Sequence, residues 1–196
     1  MKNLVLVFTS VLLFTVSSFS QINKGNWELS LSGDMGFTSS STESTYGAYH
    51  EEYDGTSEGY FLVALRVGYF VVDGLEIEPE FIETAVEKET PCFDLGSNVL
   101  YNFKIANSSI SPFVLAGYGV GNSIPFSNAL FYNATGSLDI GHWNLGAGVK
   151  FFINKNIGIR VEYRHQQYSY DQNEYNVSTS YKVYYNKLLV GISFCL

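Results

Sequence analysis

Charged residues make up only 15% of this chain of 196, and several recur two positions apart. Glu76, Glu78 and Glu80 form one such series, and Arg160, Glu162 and Arg164 form another. Arg66 and Lys150 stand in stretches where apolar and polar residues alternate in the same way. At period two, each series occupies one face of an extended strand. A charge withdrawn from water must be paired, because a lone buried ion is strongly disfavoured. These eight residues therefore read as a paired interior layer. Arg66 is set against Glu76, Glu78 and Glu80 across one hairpin, and Arg160 and Arg164 flank Glu162. The competing reading of the same charges is an ion pathway.

Other reactive patterns are thin. The chain has three His residues, His50, His142 and His165. His50-Glu51-Glu52 offers metal-ligand types, but adjacent side chains on an extended chain point apart. The run reads as solvated charge. A serine hydrolase needs a hydroxyl beside a His that a carboxylate orients. In His165-Gln166-Gln167-Tyr168-Ser169 the residue two past the His is Gln167, which cannot attack an ester. Ser169 shares the alternation phase of His165 one strand step further, and that phase turns both outward. No catalytic, metal or cofactor residue is assigned. Cys92 and Cys195 fall at opposite ends of the architecture argued below. A disulfide needs Cα atoms within about 7 Å, so two free thiols acting as small buried hydrophobes are expected. The net charge of −8 argues against nucleic acid or an anionic lipid surface as the main partner.

The elements that must position these residues are strands. Lys2, the apolar run Leu4 to Val16 and the small residues around Ser18 and Ser20 read as a signal peptide over 1–20, cleaved before Gln21. No Cys follows the run, which argues against a lipoprotein anchor. The remaining 21–196 is one domain's worth and holds no apolar run of about 18 residues, the length of a membrane-spanning helix. With 15 Tyr, 15 Phe and 18 Gly, it is an all-β composition.

Eight alternating stretches follow. Their apolar faces carry Trp27 to Phe37, Phe61 to Tyr69, Leu75 to Phe81, Phe93 to Phe103, Val114 to Val120, Trp143 to Ile153, Ile157 to Tyr163 and Leu188 to Leu196. Strand five is Gly-rich, and Val114, Ala116, Tyr118 and Val120 are placed outward. A bulge is expected at Pro79, which lacks a ladder donor. The opposite faces hold Glu28, Asp34, Arg66, Glu76, Glu78, Glu80, Asp94, Lys104, Lys150, Arg160, Glu162 and Arg164. Connections alternate long and short, the long ones reading as 38–58, 83–91, 122–141 and 169–180. The Asp73-Gly74 pair marks one tight turn.

Strands of about 9–11 residues joined in this rhythm are the transmembrane-barrel pattern. Aromatics gather at both strand ends, Trp27, Phe103, Phe151 and Phe194 at one rim and Phe37, Trp143, Tyr163 and Tyr184 at the other, as interfacial girdles do. A soluble, lipocalin-like barrel would turn its apolar faces inward. It leaves the small residues among the charges, the aromatic rims and the apolar final strand unexplained. The expected fold is an all-β, eight-stranded antiparallel up-and-down transmembrane β-barrel. Tyr46, Tyr49, Tyr53 and Tyr60 in the first connection, with Tyr168, Tyr170, Tyr175 and Tyr181 in the fourth, sit among small polar residues. That is a composition of recognition surfaces, or of hydrated loops whose Tyr rings pack on the rim.

Over residues 26–196 the chain resembles the small eight-stranded outer-membrane β-barrel proteins, the OmpX and OmpA-barrel group. The resemblance rests on three motifs: Val72-Asp73-Gly74-Leu75-Glu76-Ile77-Glu78-Pro79, Pro112-Phe113-Val114-Leu115-Ala116-Gly117-Tyr118-Gly119 and Val161-Glu162-Tyr163-Arg164. The ending Gly191-Ile192-Ser193-Phe194-Cys195-Leu196 resembles the signal by which such barrels are recognised for insertion. The resemblance implies the outer membrane of a Gram-negative bacterium, with membrane lipid and the barrel-insertion machinery as partners. It further implies a non-enzymatic, envelope-structural or adhesin-like role through outer loops that meet an extracellular protein or surface ligand. A lipid A-modifying hydrolase and a narrow porin are the alternatives, since one fold hosts all three.

Overall fold

The structure, a computed structural model, describes residues 22–46, 49–86, 91–106, 108–124, 140–174 and 177–196. The signal peptide over 1–20 lies outside the described residues, as does most of the third connection. So do the side chains of His50, Tyr46, Tyr49, Tyr53, Tyr170, Tyr175 and Tyr181.

Eight strands form, in order β1 (Trp27–Tyr46), β2 (Tyr49–Val72), β3 (Leu75–Val86), β4 (Cys92–Asn102), β5 (Ile110–Gly121), β6 (Ile140–Phe152), β7 (Ile157–Glu174) and β8 (Val177–Cys195). Each pairs antiparallel with its neighbour in sequence, and β1 pairs with β8, so the sheet closes into a barrel. The alternation is what drives this. In β4, buried and exposed residues alternate along the strand, with Phe93, Leu95, Val99 and Tyr101 outside and Asp94, Asn98 and Asn102 inside.

The distribution is inside-out. Leu29, Leu31, Leu65, Val67, Ile77, Val99, Leu145, Leu188, Val190 and Ile192 are all exposed, while Arg66, Lys150, Arg160 and Arg164 are fully buried. Water on the outside would make that arrangement ruinous; hydrocarbon on the outside requires it. Strand five takes the expected phase, with Val114, Ala116 and Tyr118 outward. Cys92 and Cys195 are both buried and form no disulfide.

Three expectations need correction. Two of the segments read as long loops, 38–58 and 169–180, are largely strand. The β1–β2 ladder runs out to Tyr46↔Tyr49 and the β7–β8 ladder to Glu174↔Val177, while β3 reaches Val86 and β4 begins at Cys92. Beyond the membrane both faces of a hairpin meet water, so the apolar alternation disappears while the ladder persists. Ser, Thr and Tyr then mark strand only through propensity. Pro79 makes no bulge: the β2–β3 register is the same at Arg66↔Glu80 and Tyr69↔Ile77, and the shift falls between Phe70 and Val72 beside the turn. There Gly74 adopts φ 80°, and a Cβ on it would meet the Asn102 carbonyl oxygen at 2.8 Å. Finally, Lys104 is not in the interior, because β4 ends at Asn102. Its ammonium instead spans Asn23 Oδ1 (2.6 Å) and Asp73 Oδ2 (3.0 Å) below the barrel.

Candidate functional site

The inward faces of β1, β2, β3, β6 and β7 build a stacked ion-pair network that fills the lumen. At the end nearest the β2–β3 turn, the Lys150 ammonium donates to Glu28 Oε2 (2.7 Å) and Glu76 Oε2 (3.0 Å). Asn102 Nδ2 adds a second donor to that Glu76 oxygen at 3.0 Å. One layer further, Arg160 grips Glu78 with both terminal nitrogens and gives Nε to Glu162 Oε2 at 2.9 Å. Above it, Arg66 donates to Glu80 Oε2 and, at 2.8 Å, to Ser32 Oγ. Arg164 joins Glu80 Oε1 (2.6 Å) to Glu162 Oε1 (2.7 Å).

All eight residues named from alternation thus meet in one continuous network, with Glu28 and Ser32 as added members. Charge-assisted and partly bidentate bonds of this kind are the strong class of hydrogen bond. Aromatic rings seal the lower layers. The Phe113 ring lies 5.5 Å from Lys150 Nζ and 4.8 Å from Arg160 Cζ, within cation–π reach.

Inward glycines make room for these long side chains. A Cβ on Gly68 would collide with the Glu76 carboxylate, and one on Gly148 with the Phe113 ring. Toward the other mouth the polar filling changes character. Lys187 Nζ donates to Gln166 Oε1 (2.8 Å), Gln166 Nε2 to the Tyr168 hydroxyl (3.0 Å), and that hydroxyl to Asp94 Oδ2 (2.6 Å). His142 Nδ1 lies 3.8 Å from Asp94 Oδ1. A Cβ on Gly119 would strike the His142 ring.

Tyr168 and His142 are among the interior residues that sequence reasoning missed. Tyr168 was grouped with the loop tyrosines, but it is fully buried. Its signal was present, for it continues the Arg164, Gln166 phase. Apolar side chains also turn inward, among them the clusters of Leu62, Ala64, Ile82 and Leu189, of Leu100, Phe113 and Leu115, and of Ile124, Tyr168, Val183 and Tyr185.

Glu28, Glu76 and Glu78 bring carboxylate oxygens within 4.8 Å of one another. The positions a cation would take are held by Lys150 against Glu28 and Glu76 and by Arg160 against Glu78. The cluster is a set of ion-pair partners and does not fit a metal.

His165 is on the outer wall. Its Nδ1 lies 3.0 Å from Asn186 Oδ1, an amide oxygen that also accepts from the Tyr163 hydroxyl at 3.0 Å. The rings of Trp143 and Tyr184 flank it at 5.7 and 6.0 Å. Gln167 Nε2 reaches Ser169 Oγ at 3.4 Å. The His therefore sits in an interfacial aromatic belt with an amide for a partner.

Below the barrel, the segment before β1 straps the β2–β3 turn. Gly25 N donates to Phe70 O (2.8 Å), Gly74 N to Ile22 O (3.1 Å) and Lys24 N to Asp73 Oδ1 (2.9 Å). The Lys24 amide and the Lys104 ammonium hold the Asp73 carboxyl below its ordinary value.

Several solved structures are similar to this chain in fold. Neisserial surface protein A is 12% identical over 87% of this chain and 99% of its own, with a TM-score of 0.54. OprG of Pseudomonas aeruginosa is 13% identical over 91% and 99%, with a TM-score of 0.51. The N-terminal β-barrel domain of OprF from the same organism is 15% identical over 88% and 98%, with a TM-score of 0.50. No curated protein matches the sequence. The model of the outer membrane protein beta-barrel domain matches residues 6–183. Matched over most of its length and closed into eight antiparallel strands, the chain belongs to the outer membrane protein beta-barrel domain family, and the outer membrane is where it sits.

Proposed function

We propose that this is a non-enzymatic outer-membrane protein that holds projecting hairpins at the cell surface on a sealed barrel. Its role is to support the envelope or to bind an extracellular protein or surface ligand. The observation that carries the reading is the contrast between its two halves. The membrane-level lumen is filled by the Glu–Arg/Lys network, whereas the β1–β2 and β7–β8 ladders continue well past the apolar band. From Met35 to Tyr46 alone is about 35 Å of extended chain. An eight-stranded barrel is just wide enough for side chains to fill, so the filling argues against a porin. A lipid A-modifying hydrolase is disfavoured by the outer wall, where His165 has Asn186 for a partner and Gln167 at the place of a nucleophile. The reading also takes residues 1–20 as a cleaved signal peptide in a Gram-negative host, and β8 as the strand the insertion machinery recognises.

Shortening the hairpins tests it. Replacing residues 38–58 and 170–180 with two-residue turns should leave a folded barrel in the outer membrane and abolish cell binding to an array of extracellular-matrix and serum proteins. Binding unchanged by both truncations would refute the surface-presentation reading.

A further inference from the structure

Among the described residues, the stacked lumen network holds one carboxylate too many. Five buried glutamates, Glu28, Glu76, Glu78, Glu80 and Glu162, meet four buried cations, Arg66, Lys150, Arg160 and Arg164. Nearer the other mouth, Asp94 and Lys187 are joined through Tyr168 and Gln166 as a balanced pair of their own.

The hydrogen bonds locate the deficit. Glu78 takes both terminal nitrogens of Arg160. Glu80 takes Arg66 on one oxygen and Arg164 on the other, and Glu162 takes Arg160 and Arg164 in the same way. Glu28 and Glu76 instead share a single ammonium. Lys150 reaches Oε2 of the first at 2.7 Å and Oε2 of the second at 3.0 Å. Their remaining oxygens, Glu28 Oε1 and Glu76 Oε1, are buried without a hydrogen-bond partner. Arg160 Nη1 stands 3.9 Å from Glu28 Oε1, too far to donate.

Nothing else around this layer supplies the missing charge. Besides Lys150 and Arg160, the titratable groups facing the pair are Glu78 and the Cys195 thiol, 3.8 Å from Glu28 Oε2. β2, β4 and β5 bring Gly68, Asn102 and Phe113, none of which ionises. Two carboxylates that share one ammonium away from water need a second positive charge to coexist. A metal does not fit, because Lys150 and Arg160 hold its positions, whereas a proton needs no room of its own.

We propose that Glu28 and Glu76 bind one proton between them, and that this proton latches the end of the plug nearest the β2–β3 turn. With the proton in place the layer is neutral. Without it, one negative charge is buried with no partner and the layer loosens.

Infrared spectroscopy of the full-length barrel in ester-free micelles tests this. At neutral pH the wild type should show a protonated-carboxyl C=O stretch that vanishes on raising the pH. Glu76→Gln should remove that band, and so should Glu28→Gln, because either change leaves one carboxylate for one ammonium. Asp73→Asn, below the barrel, should leave it in place. Unfolding gives a second reading. The folded barrel holds the proton, and the unfolded chain at neutral pH does not. Raising the pH should therefore move the wild type toward the unfolded chain, about tenfold per pH unit relative to Glu76→Gln, until the band is gone. Heat-dependent gel mobility checks folding, and Glu28→Gln serves as the reference if Glu76→Gln does not fold. The latch is refuted if the band is missing at neutral pH, if either Gln variant keeps it, or if the two pH profiles run parallel. The inference rests on the sealed lumen, yet the two fail separately. A missing band in a barrel that conducts no current would refute the proton and leave the seal standing.

Discussion

Arg160 and Glu78 are 82 positions apart in sequence and meet across the lumen, with Nη2 to Oε1 at 3.2 Å and Nη1 to Oε2 at 2.5 Å. The same guanidinium reaches Glu162 on its own strand at 2.7 Å. One side chain thus ties β7 to β3 through the middle of the barrel. Removing one partner of a buried pair leaves an uncompensated charge and costs roughly 3–5 kcal/mol. Arg160→Ala should destabilise the barrel by that order, read from urea unfolding in micelles. Lys104→Ala, which breaks only the exposed pair with Asp73, should change little. Equal effects for the two would mean that the lumen network does not bear stability.

Barrel closure depends on Gly191. A Cβ there would fall on the backbone of Leu31 and Ser32 across the β1–β8 ladder, and backbone cannot step aside as a flexible side chain can. Gly191→Val should lose the heat-modifiable folded form, while Val190→Ala beside it should keep that form. A normally folded Gly191→Val protein would show that the two strands close with room to spare.

The strap below the barrel is pH-dependent with a definite sign. Asp73 is held below its ordinary value of 3.8 by the Lys24 amide and Lys104. Its contribution is therefore fully present above that value and is lost as pH falls through the lowered one. Hydrogen exchange at the Lys24 amide should be slow at neutral pH and rise toward the rate of a free chain only at strongly acidic pH. In Asp73→Asn the slow exchange should persist less well at neutral pH and lose its acid dependence. An exchange rise near pH 6 would assign the strap to another group.

If the outer wall carries no hydrolase, His165→Ala should leave the lipid A acylation of the host cell unchanged. Mass profiles of extracted lipid A would check it. A gained or lost acyl chain would restore the enzymatic reading and call for a nucleophile near His165.

Much of this architecture was legible from alternation alone, because a bilayer makes the period-two signal strong on the outer wall. Leu188, Val190 and Ile192 against Lys187 and Ser193 are enough to orient β8. The same signal named Arg66, Glu76, Glu78, Glu80, Lys150, Arg160, Glu162 and Arg164 as one inward set. It could not show which carboxylate each cation takes, since Glu78 accepts its guanidinium hydrogen bonds from Arg160 on β7, while Arg66 on the adjacent β2 donates to Glu80. The outer hairpins were misjudged as loops because water on both sides erases the pattern that betrays a strand. Tyr168 was misjudged for a related reason. It follows Gln166 inward, but the tyrosine-rich sequence after it hid that phase.

The central claim is a sealed lumen beneath projecting hairpins, and single-channel recording of the purified barrel in a planar bilayer tests it most directly. The account predicts no stable conductance steps from the wild type at neutral pH, with Arg66→Ala lowering thermal stability. Steady ohmic steps from the wild type, or an Arg66→Ala barrel that conducts at unchanged stability, would contradict it.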